Sequence, residues 1–424
     1  MKKNYLLAMG LLLFGTSIYA QDKEAAKAEK AAEKEAMSVL KEAKRGYETS
    51  IPNLQYGRKE TNFDKLAVAQ AAIEKAGNNK FTKNLAETWK VAADINYEFF
   101  KKYDEQAKID ESVRPLSIAA SEKVVRAAIK YDSLAMLNPK AKEPEKKFIN
   151  EQYRNIATNP LLQCLQAAQT YSNSETQEDL KNGYRLSSLV DYAFNKTHLF
   201  STFSNEHLQE WKLYAKAFRA QSLAGIEGTK GEDIEAAYKE LYGTSYETVA
   251  YSALINYYRE KDEAKMIKIL KYAYEHATGE AAPQFAFMYM QHLNSAGSKE
   301  ECLKVIDNIV AKYPDNENTL TALLMKGNIM FENKKFDEAE KFFQDIVVKY
   351  PEDDRAIPMP AKSAWMKAQS SGTKADREHA IKLFKELEEK YPNNSDFWGE
   401  PLYILYNNNN QLQLRDKYKK YYKG

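Results

Sequence analysis

A three-part pattern recurs through the last third of the chain and limits what that stretch can fold into. A small residue is followed four positions later by an apolar one, and eight positions after that by a proline preceded by Lys-Tyr. The copies are Cys302, Ile306 and Lys312-Tyr313-Pro314; Ala339, Phe343 and Lys349-Tyr350-Pro351; and Ala380, Phe384 and Lys390-Tyr391-Pro392. The prolines stand 37 and 41 residues apart, and a period of that size marks stacked supersecondary units.

The spacing has a direct physical reading. Positions i and i+4 share one face of an α-helix, so the small residue admits a neighbouring helix and the large one fills the space beside it. Proline then ends the helix, because it has no N–H to donate and crowds the preceding turn. In the middle copy the partner helix is legible too. Leu323, Gly327 and Met330 lie at helical spacing, Asn333-Lys334-Lys335 reads as a turn, and Phe336-Asp337-Glu338-Ala339 opens the second helix. The unit is a helix-turn-helix of about 34 residues.

These residues resemble the tetratricopeptide repeat (TPR) family. Gly327 stands at the family's small position in the first helix and Phe336 at its aromatic turn position. Ala339 and Phe343 match the small and large positions of the second helix, and Pro351 the terminal one. The Lys-Tyr-Pro ending is similar to the TPR regions of bacterial envelope proteins, such as outer-membrane assembly and Tol-Pal accessory proteins. The chain departs from the family pattern at Lys326, where Leu is preferred, and at Met290 and Ala368, which replace Gly in the flanking copies. The resemblance implies an all-α, TPR-like helical-hairpin solenoid wound as a right-handed superhelix. It also implies that the first helix of each pair lines a concave, protein-binding face.

Met1 to Ala20 reads as a signal peptide. Lys2 and Lys3 form a positive start, Tyr5 to Phe14 an apolar run, and Ser17-Ile18-Tyr19-Ala20 a cleavage site. The run is too short to span a bilayer. The mature chain is expected to begin near Gln21, periplasmic or secreted, with no membrane span after processing. Residues 21–60 form a charged helical leader, because Asp22 to Arg45 is built mostly of Ala, Glu and Lys with pairs such as Glu24 and Lys27. It reads as solvated, with a partner-binding stalk as the alternative, and Ile51-Pro52-Asn53 ends it.

Residues 61–247 form an N-terminal helical region, TPR-like but diverged. Apolar faces lie at Leu66, Ala69, Ala72 and Ile73 and at Trp89, Ala92, Ile95, Phe99 and Phe100, and the signature returns once as Ala127, Tyr131 and Pro139. Residues 248–424 form the C-terminal array. It holds one weaker unit up to His276, the three copies above, and a closing helix pair about the turn Asn407 to Asn410. The basic outer face of that pair, Lys417, Lys419, Lys420 and Lys423, supplies the polar cap that a terminal repeat requires.

Charge and motif content argue against several function classes. With 62 Lys+Arg against 60 Asp+Glu, the net charge of +2 gives no bulk attraction to nucleic acid. The histidines, His198, His207, His276, His292 and His379, show no metal-ligand spacing, and no Gly-x-Ser-x-Gly elbow occurs. Gly225, Gly228 and Gly231 lack the Gly-Lys-Ser/Thr of a phosphate loop and read as an inter-helix turn. Cys302 stands at the repeat's small, buried position and reads as a packed thiol, and a bridge to Cys164 is not expected, since distant repeats of a solenoid seldom touch. No catalytic residue, metal or cofactor is expected.

Binding remains. Carried over residue by residue, the groove positions that the TPR resemblance implies are Phe287 and Gln291 in the first copy, Leu324 and Asn328 in the second, and Trp365 and Gln369 in the third. Each pair sets an aromatic or aliphatic anchor four residues before a carboxamide, which suits an extended or helical peptide. Packing of Phe287, Leu324 and Trp365 between helices is the competing reading. Some TPR proteins hold a C-terminal carboxylate with a clamp of Lys and Arg; here Lys362 is the one basic residue among the groove positions. The expected function is an exported, non-enzymatic scaffold or adaptor for another envelope protein or peptide. The alternative is a periplasmic protein that captures a small ligand, a glycan or peptidoglycan fragment, on the same aromatics.

Overall fold

The periodic apolar faces fold as helices in every region that carries them. In the computed structural model the backbone is described for residues 3–423 and the side chains from residue 23 onward; the expected signal segment, Met1 to Ala20, lies outside the latter. Among the described residues there is no β-strand, and an isolated antiparallel bridge joins Asn53 and Arg58. The chain divides into two compact units, Met1–Ala253 and Leu254–Gly424.

The first unit contains α1 (Lys3–Ser50), α2 (Phe63–Asn78), α3 (Ala86–Ala107), α4 (Arg114–Met136), α5 (Glu143–Ser172), α6 (Gln177–Lys196), α7 (Leu208–Gly225) and α8 (Gly231–Lys239). Each packs on the next, because each carries an apolar stripe that must be covered. Residues 23–35 of the leader are solvent-exposed, as a solvated helix should be. Ala36, Leu40 and Ala43 further along α1 are buried, so the leader's second half is core. The helix stops at Ser50, ahead of Pro52. Leu66 and Ile73 of α2 join Ile95, Val124, Leu161 and Leu186 in a single cluster. Helix α4 ends before Pro139 with Ala127 and Tyr131 buried, and the Tyr131 ring lies edge-on to Tyr153, centroids 4.5 Å apart. At 22, 23 and 30 residues, α3, α4 and α5 are longer than the helices of the repeated stretch. The glycine cluster is indeed a turn: α7 ends at Gly225, α8 begins at Gly231, and Gly228 takes a φ of +78°.

The division between units falls within α9 (Glu247–Tyr258). The second unit continues with α10 (Glu263–His276), α11 (Ala282–Ser295), α12 (Lys299–Lys312), α13 (Thr319–Glu332), α14 (Phe336–Lys349), α15 (Met359–Ser371), α16 (Lys374–Lys390), α17 (Gly399–Asn408) and α18 (Leu412–Tyr418). From α10 to α18 every helix packs on its successor, a solenoid-type stack of helix pairs.

Two local devices recur in this stack. Within four of the pairs the first helix ends on a left-handed residue, Gly297 (φ +72°), Lys334 (φ +59°), Gly372 (φ +65°) or Asn410 (φ +57°), and all but the Gly372 end share a further bond. The next N–H then returns to a helix carbonyl at 2.9 Å: Ser298 to Leu293, Lys335 to Met330, and Gln411 to Tyr406. That is the six-residue bond of a Schellman end, which satisfies carbonyls the helix cannot. Between pairs, Tyr313, Tyr350 and Tyr391 close their helices with φ of −129°, −125° and −127°, since a residue before proline is pushed out of the helical region. Each tyrosine carbonyl then accepts the N–H three residues on, from Asn316 (3.1 Å), Asp353 (3.3 Å) and Asn394 (3.1 Å). Side chains reinforce two of these joints: Thr319 Oγ1 donates to the Tyr313 carbonyl (2.6 Å) and Trp398 Nε1 to that of Tyr391 (3.0 Å).

Candidate protein-interaction surface

The small and large positions of the repeated pattern do what their spacing implies. Cys302, Ile306, Ala339, Phe343, Ala380 and Phe384 are all fully buried between helices. The departure at Lys326 is also accommodated. Its stem is half-buried while Nζ reaches Asp307 of α12 at 2.6 Å and stands 5.7 Å from the centre of the Phe342 ring, so a long amphipathic side chain fills an apolar site and keeps its charge in water. Further ion pairs link the helices, Lys299–Glu332 (2.6 Å) and Lys367–Asp337 (2.7 Å) among them. Exposed pairs of this kind contribute little to stability.

The groove positions divide by chemistry. Gln291 of α11, Asn328 of α13 and Gln369 of α15 are exposed, and among the described residues no hydrogen bond engages their side-chain amides. The apolar members lie deeper. Phe287 is only 8% exposed; Leu324 and Trp365 are half-buried against the clusters around Phe343 and Phe384. The Trp365 ring meets Phe384 edge-on, centroids 6.1 Å apart, and its indole N–H is buried without an acceptor. Most of the anchors' surface is thus spent inside the helix pairs.

Stacked helix pairs and short capped turns define a helical-repeat fold, with an exposed register of carboxamides along three of its first helices. Residues 321–353, which take in most of the α13–α14 pair, match the family model of the tetratricopeptide repeat. No curated protein matches the chain.

The first unit holds polar groups that lie outside this pattern. Asp94 accepts a hydrogen bond from the Tyr153 hydroxyl at 2.8 Å; burial outweighs that bond and pushes its carboxyl up to about 6. Two clefts of about 450 Å³ each also open here. One lies beside Arg114, Ile118, Gln163 and Tyr171. Its floor is self-satisfied: Gln163 donates to Asp104 (3.2 Å) and accepts from Ser117 (3.0 Å) and Ser121. The other lies at the start of α5, beside Lys146, Asn150, Arg154, His198 and Thr202. Beneath it Asn150 Nδ2 donates to Asp132 (3.0 Å) and to the His198 carbonyl (3.2 Å). Burial raises the Asp132 carboxyl, opposed by those two neighbours. No spacing around His198 in the sequence marks this cleft, because its partners come from α4 and α5. Among the described residues no group of three His, Cys, Asp or Glu is placed to hold a metal ion, and no helix is long and apolar enough to cross a membrane.

Proposed function

We propose that the chain is an exported, non-enzymatic scaffold that carries a peptide segment of another envelope protein across α11, α13 and α15. The observation that supports it most is the register of Gln291, Asn328 and Gln369. They occupy equivalent positions on three successive first helices, exposed and unpartnered. A carboxamide offers both donor and acceptor, which is what an extended peptide backbone presents in turn. Because Phe287 is buried and Leu324 and Trp365 are half-buried, the anchors add limited burial. Specificity then rests on the amides, in the manner of a transient interaction. Capture of a glycan or peptidoglycan fragment would need free aromatic faces, which the burial of Phe287 and the packing of Trp365 on Phe384 withhold. Export rests on the positive, apolar and small-residue succession at the N-terminus.

The test compares the mature chain with the combined Gln291→Ala, Asn328→Ala, Gln369→Ala variant as baits for native envelope extract, after circular dichroism has matched their helicity. A protein held by the first and released by the second, with a synthetic segment of it reproducing the difference in fluorescence anisotropy, supports the reading. An identical captured set, or no capture by either, overturns it.

A further inference from the structure

The two clefts of the first unit differ in how their cations are balanced. Arg114, beside the first, pairs with Glu111 at 3.1 Å and Asp104 at 3.9 Å. Arg154, beside the second, pairs with no carboxylate among the described residues. It donates from Nη1 to two neutral oxygens, Asn150 Oδ1 (3.3 Å) and Thr202 Oγ1 (2.8 Å). The rim carboxylates are engaged elsewhere, Glu143 with Lys146 (3.4 Å) and Glu151 with Lys147 (3.9 Å). Asp132, below, is held by Asn150 and by His198 Nδ1 at 3.6 Å. The two Nη1 hydrogens are therefore used to fix the guanidinium, and the Nε and Nη2 edge is left over. That edge is the fork that fits two oxygens of a carboxylate or phosphate side by side.

We propose that the cleft at the start of α5 binds a small oxyanion, seated bidentate on the Nε–Nη2 edge of Arg154, with Lys146 and the Thr202 hydroxyl beside it. Asn150 and Thr202 act as positioning residues, because they hold the guanidinium without neutralising it. The cleft volume of about 450 Å³ also leaves room for a metabolite that carries such a group.

Titration calorimetry of the full chain with inorganic phosphate, and separately with citrate, tests the assignment at low ionic strength. Saturable binding of one probe is expected, and which probe binds tells a phosphoryl ligand from a carboxylate. Arg154→Gln should weaken it about tenfold or more. Arg154→Lys, which keeps the charge but loses the fork, and Thr202→Val should weaken it by a smaller factor. Lys341→Gln, an exposed residue of the second unit, should leave it unchanged. Absence of saturable binding to the unsubstituted chain overturns the proposal, as does equal loss in Arg154→Gln and Lys341→Gln. If Arg154→Gln does not fold, Arg154→Lys and Thr202→Val decide: unchanged affinity in both counts against the site.

Discussion

A Cβ placed on Gly327 would stand 1.9 Å from Cζ of Phe343 and 2.6 Å from each Cε. The ring on α14 thus occupies the space where a side chain on α13 would lie. Substituting Gly327→Ala must displace one of the most deeply buried rings of the unit. The expected cost is about 1–3 kcal/mol from overpacking, even though Ala is the better helix former by about 1 kcal/mol. Phe343→Leu shortens the intruding group, so the double variant should be more stable than the sum of the singles. Urea denaturation of the four chains measures the coupling, and strict additivity would show that the two sites do not compete for space.

Lys334 holds a left-handed φ of +59° at the position where the preceding pair has Gly297. A side chain there costs free energy that glycine avoids. Lys334→Gly is expected to stabilise the second unit by about 0.5–1 kcal/mol, while Gly297→Ala should destabilise it by a similar amount. Thermal unfolding followed by circular dichroism checks both signs, and a lower Tm for Lys334→Gly would place the strain elsewhere.

Asp94 sets a pH dependence. Its carboxyl is raised from 3.8 to about 6 by burial, so the folded chain holds that proton more tightly than the unfolded one. Its contribution to stability therefore falls as pH rises through that interval, and the cost is complete above about pH 6. Asp94→Asn keeps an acceptor for the Tyr153 hydroxyl and removes the charge. It should flatten the stability profile between about pH 4 and 6 and raise stability at pH 7 by roughly 1–3 kcal/mol. A steeper profile in the variant would contradict the burial argument.

Cys164 and Cys302 are free and buried, and burial pushes the Cys164 thiol up to about 12 and also raises that of Cys302. Neither should react with an aromatic disulfide reagent in the native chain on the minute scale at pH 8, because the thiolate is the nucleophile. Both should titrate at once in guanidinium. A fast native thiol would reveal opening of the helix pair that carries it.

The array was legible because its instructions are local. Ala339, Phe343 and Tyr350-Pro351 specify a helix face and its end within a dozen residues, and the turn at Asn333-Lys334-Lys335 is closed by its own backbone. The leader was half legible: Ala36, Leu40 and Ala43 are hidden in an Ala, Glu and Lys-rich run, and alanine gives no signal of burial until its neighbour is known. For Phe287 a 3.6-residue period marks a face but not whether a helix or a ligand covers it; burial at 8% exposure gives it to the helix. The cleft at Arg154 was illegible, since Asp132, Asn150, Arg154, His198 and Thr202 come together only when the start of α5 meets the segment after α6.

The Tyr-Pro joints have a consequence for how such a chain lengthens or shortens. Every joint is closed by a bond from a tyrosine carbonyl to an amide three residues away, so it carries its own stopper and borrows little from distant sequence. Recombination between Pro314 and Pro351, or between Pro351 and Pro392, would add or remove a whole helix pair while leaving each remaining terminus capped. The second unit can therefore vary in copy number without being redesigned, and its length becomes a heritable variable separate from the sequence of any one pair.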